Sequence, residues 1–467
     1  MIRVAVLSGL GHAVFVAAGL LIYVMATRIG HQRRHPSAAM AWVLGIVTIP
    51  YLVVPLFLLF GARKFARPER RVRVAAPQVA ADAPAWAQRL LASMELAPAM
   101  GNQQVILHAD GGEALAGLLA TMASARHRLD ICTYLLGNDD IGRQVAQALL
   151  DCVRRGVSVR LLVDAMGSLG KSPGMLRALK RQGVQVRRFM PLVHNPLHGR
   201  TNLRNHRKLA VADGQRLWSG GRNLAAEYFV DRPGRPAWVD LSYEVCGPLA
   251  ELAQAQFSTD WRVARGLALR KARRVRHAHA WDLPAGTAGG PLAQWLPSGP
   301  DHADDTVHAL LLAAAYHADR RIVAVTPYFV PDDALLDAWC LACRRGVRVS
   351  LLVPARSNHR LADIARERAL RELSAAGAQV WLSPSMVHAK AVLIDDDLAL
   401  VGSLNLDARS LFLNYEAMTV FYGAQELRWL SQWCARQIAA AHPYHARRPS
   451  WARDIVEGVV RAVGFQL

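Results

Sequence analysis

The chain has 467 residues, of which 56 are Lys or Arg and 36 are Asp or Glu, a net charge of +20, and 52% are apolar. That apolar fraction excludes a disordered chain, and six cysteines over this length exclude a small disulfide scaffold. The length suits about three domains of roughly 150 residues each, and the charge points to an anionic partner: nucleic acid, a phosphorylated substrate or acidic lipid.

Val4 to Met25 and Ala39 to Phe60 each run without a charged residue. Each is long enough for the roughly 20 residues a helix needs to cross hydrocarbon, and Pro50 and Pro55 are tolerated in such helices. The pattern predicts a two-helix transmembrane hairpin over residues 1–61, since a second apolar stretch so close behind argues against a cleaved leader. The connecting loop holds Arg28, Arg33 and Arg34. Arg3, Arg63, Lys64, Arg67, Arg70, Arg71 and Arg73 flank it outside, a 7 to 3 excess that places both ends in the cytoplasm.

Residues 62–104 read as a basic, then Ala- and Pro-rich linker with one short helix. From Val105 short apolar runs alternate with amphipathic stretches, the βαβ pattern. Arg154-Arg155-Gly156-Val157, ending a helix and entering the strand run to Val163, is echoed by Arg344-Arg345-Gly346-Val347, entering the run to Val353. The chain therefore holds two copies of one α/β unit, expected at 105–262 and 293–467. Between them residues 263–292, with Arg270, Lys271, Arg273, Arg274 and Arg276, read as a basic linker. The last stretch sets Trp451, Ile455, Val459 and Val463 at helical spacing, which suits an interfacial amphipathic helix or one packed on the domain. Cys340 and Cys343 fall inside a helical stretch with no second pair for zinc, and read as structural cysteines.

Each copy carries the same polar series. The first has His206, Lys208, Asp213, Gly220 and Asn223; the second has His388, Lys390, Asp395, Gly402 and Asn405, at identical spacing. Alternation along a strand points His and Lys of a His-x-Lys to one face, and Asn arrives after the next turn. Two imidazoles, two ammoniums and two amides converging on one point suit a bound phosphate. His206, Lys208, Asp213, His388, Lys390 and Asp395 form the candidate catalytic set, and Asn223, Asn405 and Ser403 the phosphate-binding set. Within the first set, Asp213 and Asp395 follow the apolar strand run, which favours a structural role near the strand end.

These motifs resemble the phospholipase D superfamily and, within it, the bacterial cardiolipin synthases. The likeness extends to Leu59-Phe60-Gly61, Trp238-Val239-Asp240, Thr326-Pro327-Tyr328-Phe329-Val330-Pro331, Asp407-Ala408-Arg409-Ser410 and Leu413-Asn414-Tyr415-Glu416. It implies two α/β/α sandwich domains in pseudo-twofold arrangement behind the hairpin, in a multi-pass protein of the bacterial inner membrane with cytoplasmic catalytic domains. It further implies a phosphohistidine on His206, with His388 as general acid and then base, and Asp240 and Glu416 orienting the two rings. The implied reaction joins two phosphatidylglycerols into cardiolipin and glycerol; water as acceptor would make the protein a phospholipase instead. No metal or cofactor is called for, because the lysines and asparagines hold the phosphate oxygens. A nuclease of the same superfamily would also explain the charge, but the hairpin favours lipid over nucleic acid. A membrane scaffold without activity is disfavoured by intact motifs in both halves.

Overall fold

The computed structural model describes residues 2–28, 36–61, 83–191, 202–265 and 289–464. Most basic flanks of the hairpin (Arg33, Arg34, and Arg63 to Arg73), the basic stretch Arg270 to Arg276, and His194 and His198 lie outside the described residues.

The first half contributes β1 (Met100–Gly101), β2 (Gln104–His108), β3 (Arg128–Thr133), β4 (Ser158–Asp164), β5 (Gln185–Phe189), β6 (Leu209–Ala212), β7 (Arg216–Gly220) and β8 (Ser242–Cys246). The second contributes β9 (Leu292–Ser298), β10 (Arg321–Val325), β11 (Phe329–Val330), β12 (Arg348–Pro354), β13 (Gln379–Ser383), β14 (Ala391–Ile394), β15 (Leu398–Gly402), β16 (Leu406–Asp407), β17 (Glu416–Phe421) and β18 (His442–Pro443). One sheet runs β2-β8-β7-β6-β3-β4-β5. The other repeats it strand for strand as β9-β17-β15-β14-β10-β12-β13, with β1 and β18 added at its edges. In both, the three strands of the βαβ part, at one end of the seven, are parallel and the rest antiparallel.

The predicted helix stops are where the sequence puts them. Gly156 and Gly346 take φ of 83° and 93°, a conformation glycine adopts at no steric cost, just before β4 and β12. Strand alternation then divides the core into layers. Ala210 and Ala212 of β6 face outward onto the helices Gly111–Ser124, Asp140–Arg154 and Pro173–Arg181, whereas Leu209 and Val211 face inward. In the second half Val392 and Ile394 face out toward Thr306–His317, Asp333–Arg344 and Arg360–Ala375, and Ala391 and Leu393 face in. The inward faces of both sheets, with the helices Pro248–Val263 and Ala424–Ala439, share one core containing Tyr243, Phe257, Val401 and Trp433.

Two expectations change. The apolar stretch Ala39 to Phe60 is not one helix: it divides into Pro36–Thr48 and Pro50–Phe60 at Ile49, whose ψ of 64° is non-helical. Pro50 has no N–H for the ladder and pushes its predecessor out of the helical region. Among the described residues no helix is long and apolar enough to cross a membrane; the helices Ile2–Arg28, Pro36–Thr48 and Pro50–Phe60 enclose a small core of Tyr23, Ile46 and Phe57. The end of the expected linker is also not a linker. Ala87 and Leu91 of the helix Ala85–Ser93 are fully buried in the second half's outer core, and β1 pairs with β9. Of the two readings of the last stretch, the packed one holds: the helix Trp451–Gly464 docks on Arg360–Ala375 through buried Glu457, which accepts from Arg371 at 2.6 Å, while Trp451 remains 82% exposed. All six cysteines are unpaired.

Candidate active site

β6 runs antiparallel to β3, with Leu209 opposite Cys132, so its first residues start at the C-terminal end of the parallel strands. His206 and Lys208 lie just before that start, and His388 and Lys390 stand in the same place before β14, where Ala391 pairs with Val325. The two starts are stitched across the halves by backbone. Asn205 bridges Tyr415, with the His206 N–H donating to the Tyr415 carbonyl at 2.9 Å. Val239 bridges Val387, and the His388 N–H donates to the Val239 carbonyl at 2.7 Å.

Each imidazole is held by a carboxylate from the other half. His206 Nδ1 lies 3.1 and 3.2 Å from the two oxygens of Glu416, the first residue of β17. His388 Nδ1 lies 2.7 Å from Oδ2 of Asp240, just before β8. Glu416 is itself fixed by the Ser403 hydroxyl at 2.5 Å and by the Asn414 amide at 3.2 Å. The counterpart of Ser403 in the first half is Gly221, where a Cβ would come within 2.1 Å of Asp240 Oδ1. The longer Glu pairs with Ser and the shorter Asp with Gly, so both carboxylates reach their rings.

The lysines fold toward the same seam. Lys208 Nζ donates to the His206 carbonyl at 2.7 Å, and Lys390 Nζ lies against the His388 ring, 2.8 Å from Nδ1. Burial pushes His206 below the ordinary imidazole value against the pull of Glu416. Burial and the Lys390 charge drive His388 down to about 3. Burial likewise brings Lys208 to about 8 and Lys390 to about 7, against the pull of carboxylates that include Glu416 and Asp240. Burial alone would raise Asp240, but His388 and Lys390 hold it at about 2. With both rings losing their protons readily, the two buried lysines are balanced by the two buried carboxylates, and what the cluster offers an anion is polar groups gathered at one seam.

The remaining candidates separate. The Asn223 amide donates to the Tyr228 hydroxyl at 2.8 Å, and the side-chain oxygens of Asn223 and Asn405 are buried without a hydrogen-bond partner among the described residues. Ser403 leaves the phosphate-binding set, because its hydroxyl is committed to Glu416 and to the Ala417 backbone. Asp213 and Asp395 leave the catalytic set. Each lies at the far end of β6 or β14 from the histidine, at φ of 54° and 49°, and accepts three backbone N–H bonds from the turn before β3 or β10.

Sequence reasoning assigned no role to Arg207 or to three aromatic residues beside the rings. Arg207 is fully buried and bonds Asp260 at 2.6 Å, Asp301 at 3.2 Å and the carbonyls of Ser298 and Glu416 at 3.0 Å. Its signal was the middle residue of His-x-Lys, charged in one copy and Ala389 in the other. Tyr134 packs edge-on against His206 at 5.1 Å; Tyr228 does the same to His388 at 5.0 Å, with Trp238 at 5.5 Å.

A duplicated α/β unit with one histidine–lysine pair from each copy at the seam defines a two-domain PLD-like protein. The family described as "Cardiolipin synthase, PLD-like domain" matches residues 118–261 and 311–438. The cardiolipin synthase A of Cronobacter sakazakii is 31% identical over 466 residues, covering 93% of this chain and 94% of that protein. That of Pseudomonas entomophila is 31% identical over 82% of each chain. The crystal structure of phosphatidylserine synthase from Haemophilus influenzae shares the fold, with a TM-score of 0.61 at 15% identity, over 81% of this chain and 97% of that one. The chain belongs to the cardiolipin synthase family of PLD-like phosphatidyltransferases.

Proposed function

We propose that the protein transfers a phosphatidyl group from one phosphatidylglycerol to the free glycerol hydroxyl of another, giving cardiolipin and glycerol. His206 Nε2 attacks the phosphorus while the bond to the glycerol oxygen breaks, and His388 gives that oxygen its proton. His388 then takes the proton of the second lipid's hydroxyl, whose oxygen displaces His206 from phosphorus. Lys208, Lys390, Asn223 and Asn405 hold the non-bridging oxygens, and Glu416 and Asp240 keep each Nε2 turned to the seam. Burial first and the Lys390 charge second depress His388; the arriving diester anion offsets the second and so raises the capacity of the ring to carry a proton.

The observation that carries this reading is the exchange of carboxylates between halves, Glu416 on His206 and Asp240 on His388, which engages Nδ1 of each ring and keeps Nε2 off the carboxylates, that of His388 lying 3.1 Å from Lys390 Nζ. We further propose that the two α/β halves are the catalytic domains and that the N-terminal helices are embedded in lipid with both ends cytoplasmic. Leu10, Phe15, Leu21, Leu44 and Leu52 are each more than half exposed there, more apolar surface than water-facing helices carry.

The test is product analysis on phosphatidylglycerol vesicles. Cardiolipin and glycerol are expected in equal amounts, with His206→Ala reducing the rate about 10³-fold or more. Phosphatidic acid in place of cardiolipin, or nicked plasmid with untouched lipid, would overturn it.

A further inference from the structure

We propose that the rim of the seam is a docking surface for an anionic bilayer, formed by the loops that leave β4 and β12. This rests on the lipid-substrate reading above and adds how the site meets its substrate.

The parallel strands deliver their C-terminal ends to the end of the sheets where His206 and His388 lie. The loops after β4 and β12 therefore flank the seam as pseudo-twofold equivalents. After β4, the Ser168 hydroxyl donates to the carbonyl of Tyr134, the residue packed on His206. The same loop projects Met166 and Leu169, 44% and 59% exposed, followed by exposed Lys171. After β12, Tyr328 donates to Asn358 and packs on the His359 ring at 5.4 Å. That loop presents exposed Arg356, and the helix it leads into opens with exposed Arg360 and with Leu361 at 50% exposure. Large aliphatic side chains are ordinarily inside. Here each half sets them out beside basic residues on the rim of one site.

Three acidic residues of the same region are engaged. Asp139 faces Arg232 at 3.9 Å, Asp140 bonds Arg143, and Asp363 accepts the Ser357 N–H at 3.0 Å and pairs with Arg366 at 3.2 Å. The rim thus combines apolar tips with a positive field, which is the complement of acyl chains beneath anionic headgroups. Seated this way, a lipid diester reaches the lysines without its chains leaving the bilayer.

The full-length protein, carrying His206→Ala so that lipid is not consumed, is reconstituted into vesicles with a nitroxide on Leu169→Cys. The half-buried Cys246 and Cys343 are replaced by Ser. In phosphatidylglycerol vesicles the nitroxide is expected to be shielded from an aqueous relaxation agent and accessible to oxygen, and to be water-exposed in phosphatidylcholine. Equal water exposure in both overturns the proposal, as does shielding already present in detergent without lipid, which would mean a second copy covers the rim. In the active protein, replacing Lys171, Arg356 and Arg360 with Ala is expected to cut turnover of vesicle phosphatidylglycerol about tenfold or more. Turnover of a short-chain phosphatidylglycerol dissolved as monomers is expected within about twofold of wild type; an equal fall on both substrates, or on neither, overturns it. If the nitroxide enters the bilayer while the wild-type protein leaves phosphatidylglycerol intact, the catalytic reading fails and the docking surface stands.

Discussion

Lys390 shows at the scale of one residue what the site costs the fold. Its ammonium is buried against the His388 ring, and burial has brought its pKa from 10.5 down to about 7. Between pH 7 and 10.5 the unfolded chain keeps a proton that the folded chain has shed, so this group makes the protein more stable as pH rises across that window. Below pH 7 the full penalty is present. His388 adds to it on the acid side. With its pKa moved from 6.5 to about 3, stability falls as pH drops through that interval, because only the unfolded imidazole takes up the proton. Lys390→Met removes the charge at similar volume. It is expected to abolish turnover while stabilising the fold at pH 7 by about 2 kcal/mol, a gain that vanishes near pH 10. Denaturant unfolding at the two pH values checks it; a less stable variant at pH 7 would contradict the charge assignment.

At the scale of the element, the motif aspartates belong to strand ends. Asp213 closes the turn between Ser124 and β3 by accepting N–H bonds at 2.7 to 3.0 Å from Arg126, His127 and Arg128, and Asp395 does the same for Asp319, Arg320 and Arg321. Asp213→Asn keeps a residue that tolerates positive φ but offers one acceptor oxygen for three donors. A loss of about 1–2 kcal/mol is expected for each such change, with kcat and KM within about twofold of wild type. A large fall in kcat with unchanged stability would return the aspartate to the catalytic set. The same elements show what could be read in advance. His206, Lys208 and Asn223 were legible because strand alternation and an identical second copy fix their face and their distance along the chain. The pairing of His206 with Glu416 and of His388 with Asp240 was not legible from spacing, since 210 and 148 residues separate the partners and only the closed seam brings them together. β1 was missed for a similar reason: a two-residue strand has no periodicity, and its pairing with β9 is decided by the fold around it.

At the scale of the whole molecule, everything turns on the two halves staying closed, and Arg207 is the side chain that spans them most fully. It bonds Asp260 on the first half's inner helix, and the Ser298 carbonyl, Asp301 and the Glu416 carbonyl in the second. A planar guanidinium serves these acceptors together, which a single ammonium cannot do. Arg207→Met strands two buried carboxylates, so a loss of about 3–5 kcal/mol is expected, with Arg207→Lys falling between. The core beneath is common property: Leu209 and Tyr243 from one sheet pack in the same cluster as Leu393 and Val401 from the other. Tyr243 also shares a 2.7 Å hydrogen bond with Thr419 across the divide. Parting the halves would expose that cluster to water, so neither half keeps a complete core on its own. Turnover and tryptophan fluorescence are therefore expected to be lost at one denaturant midpoint in wild type, and at one lower midpoint in Arg207→Met. Activity disappearing well before fluorescence would mean that the seam opens while the sandwiches survive, and that Arg207, more than the shared core, holds the histidines together.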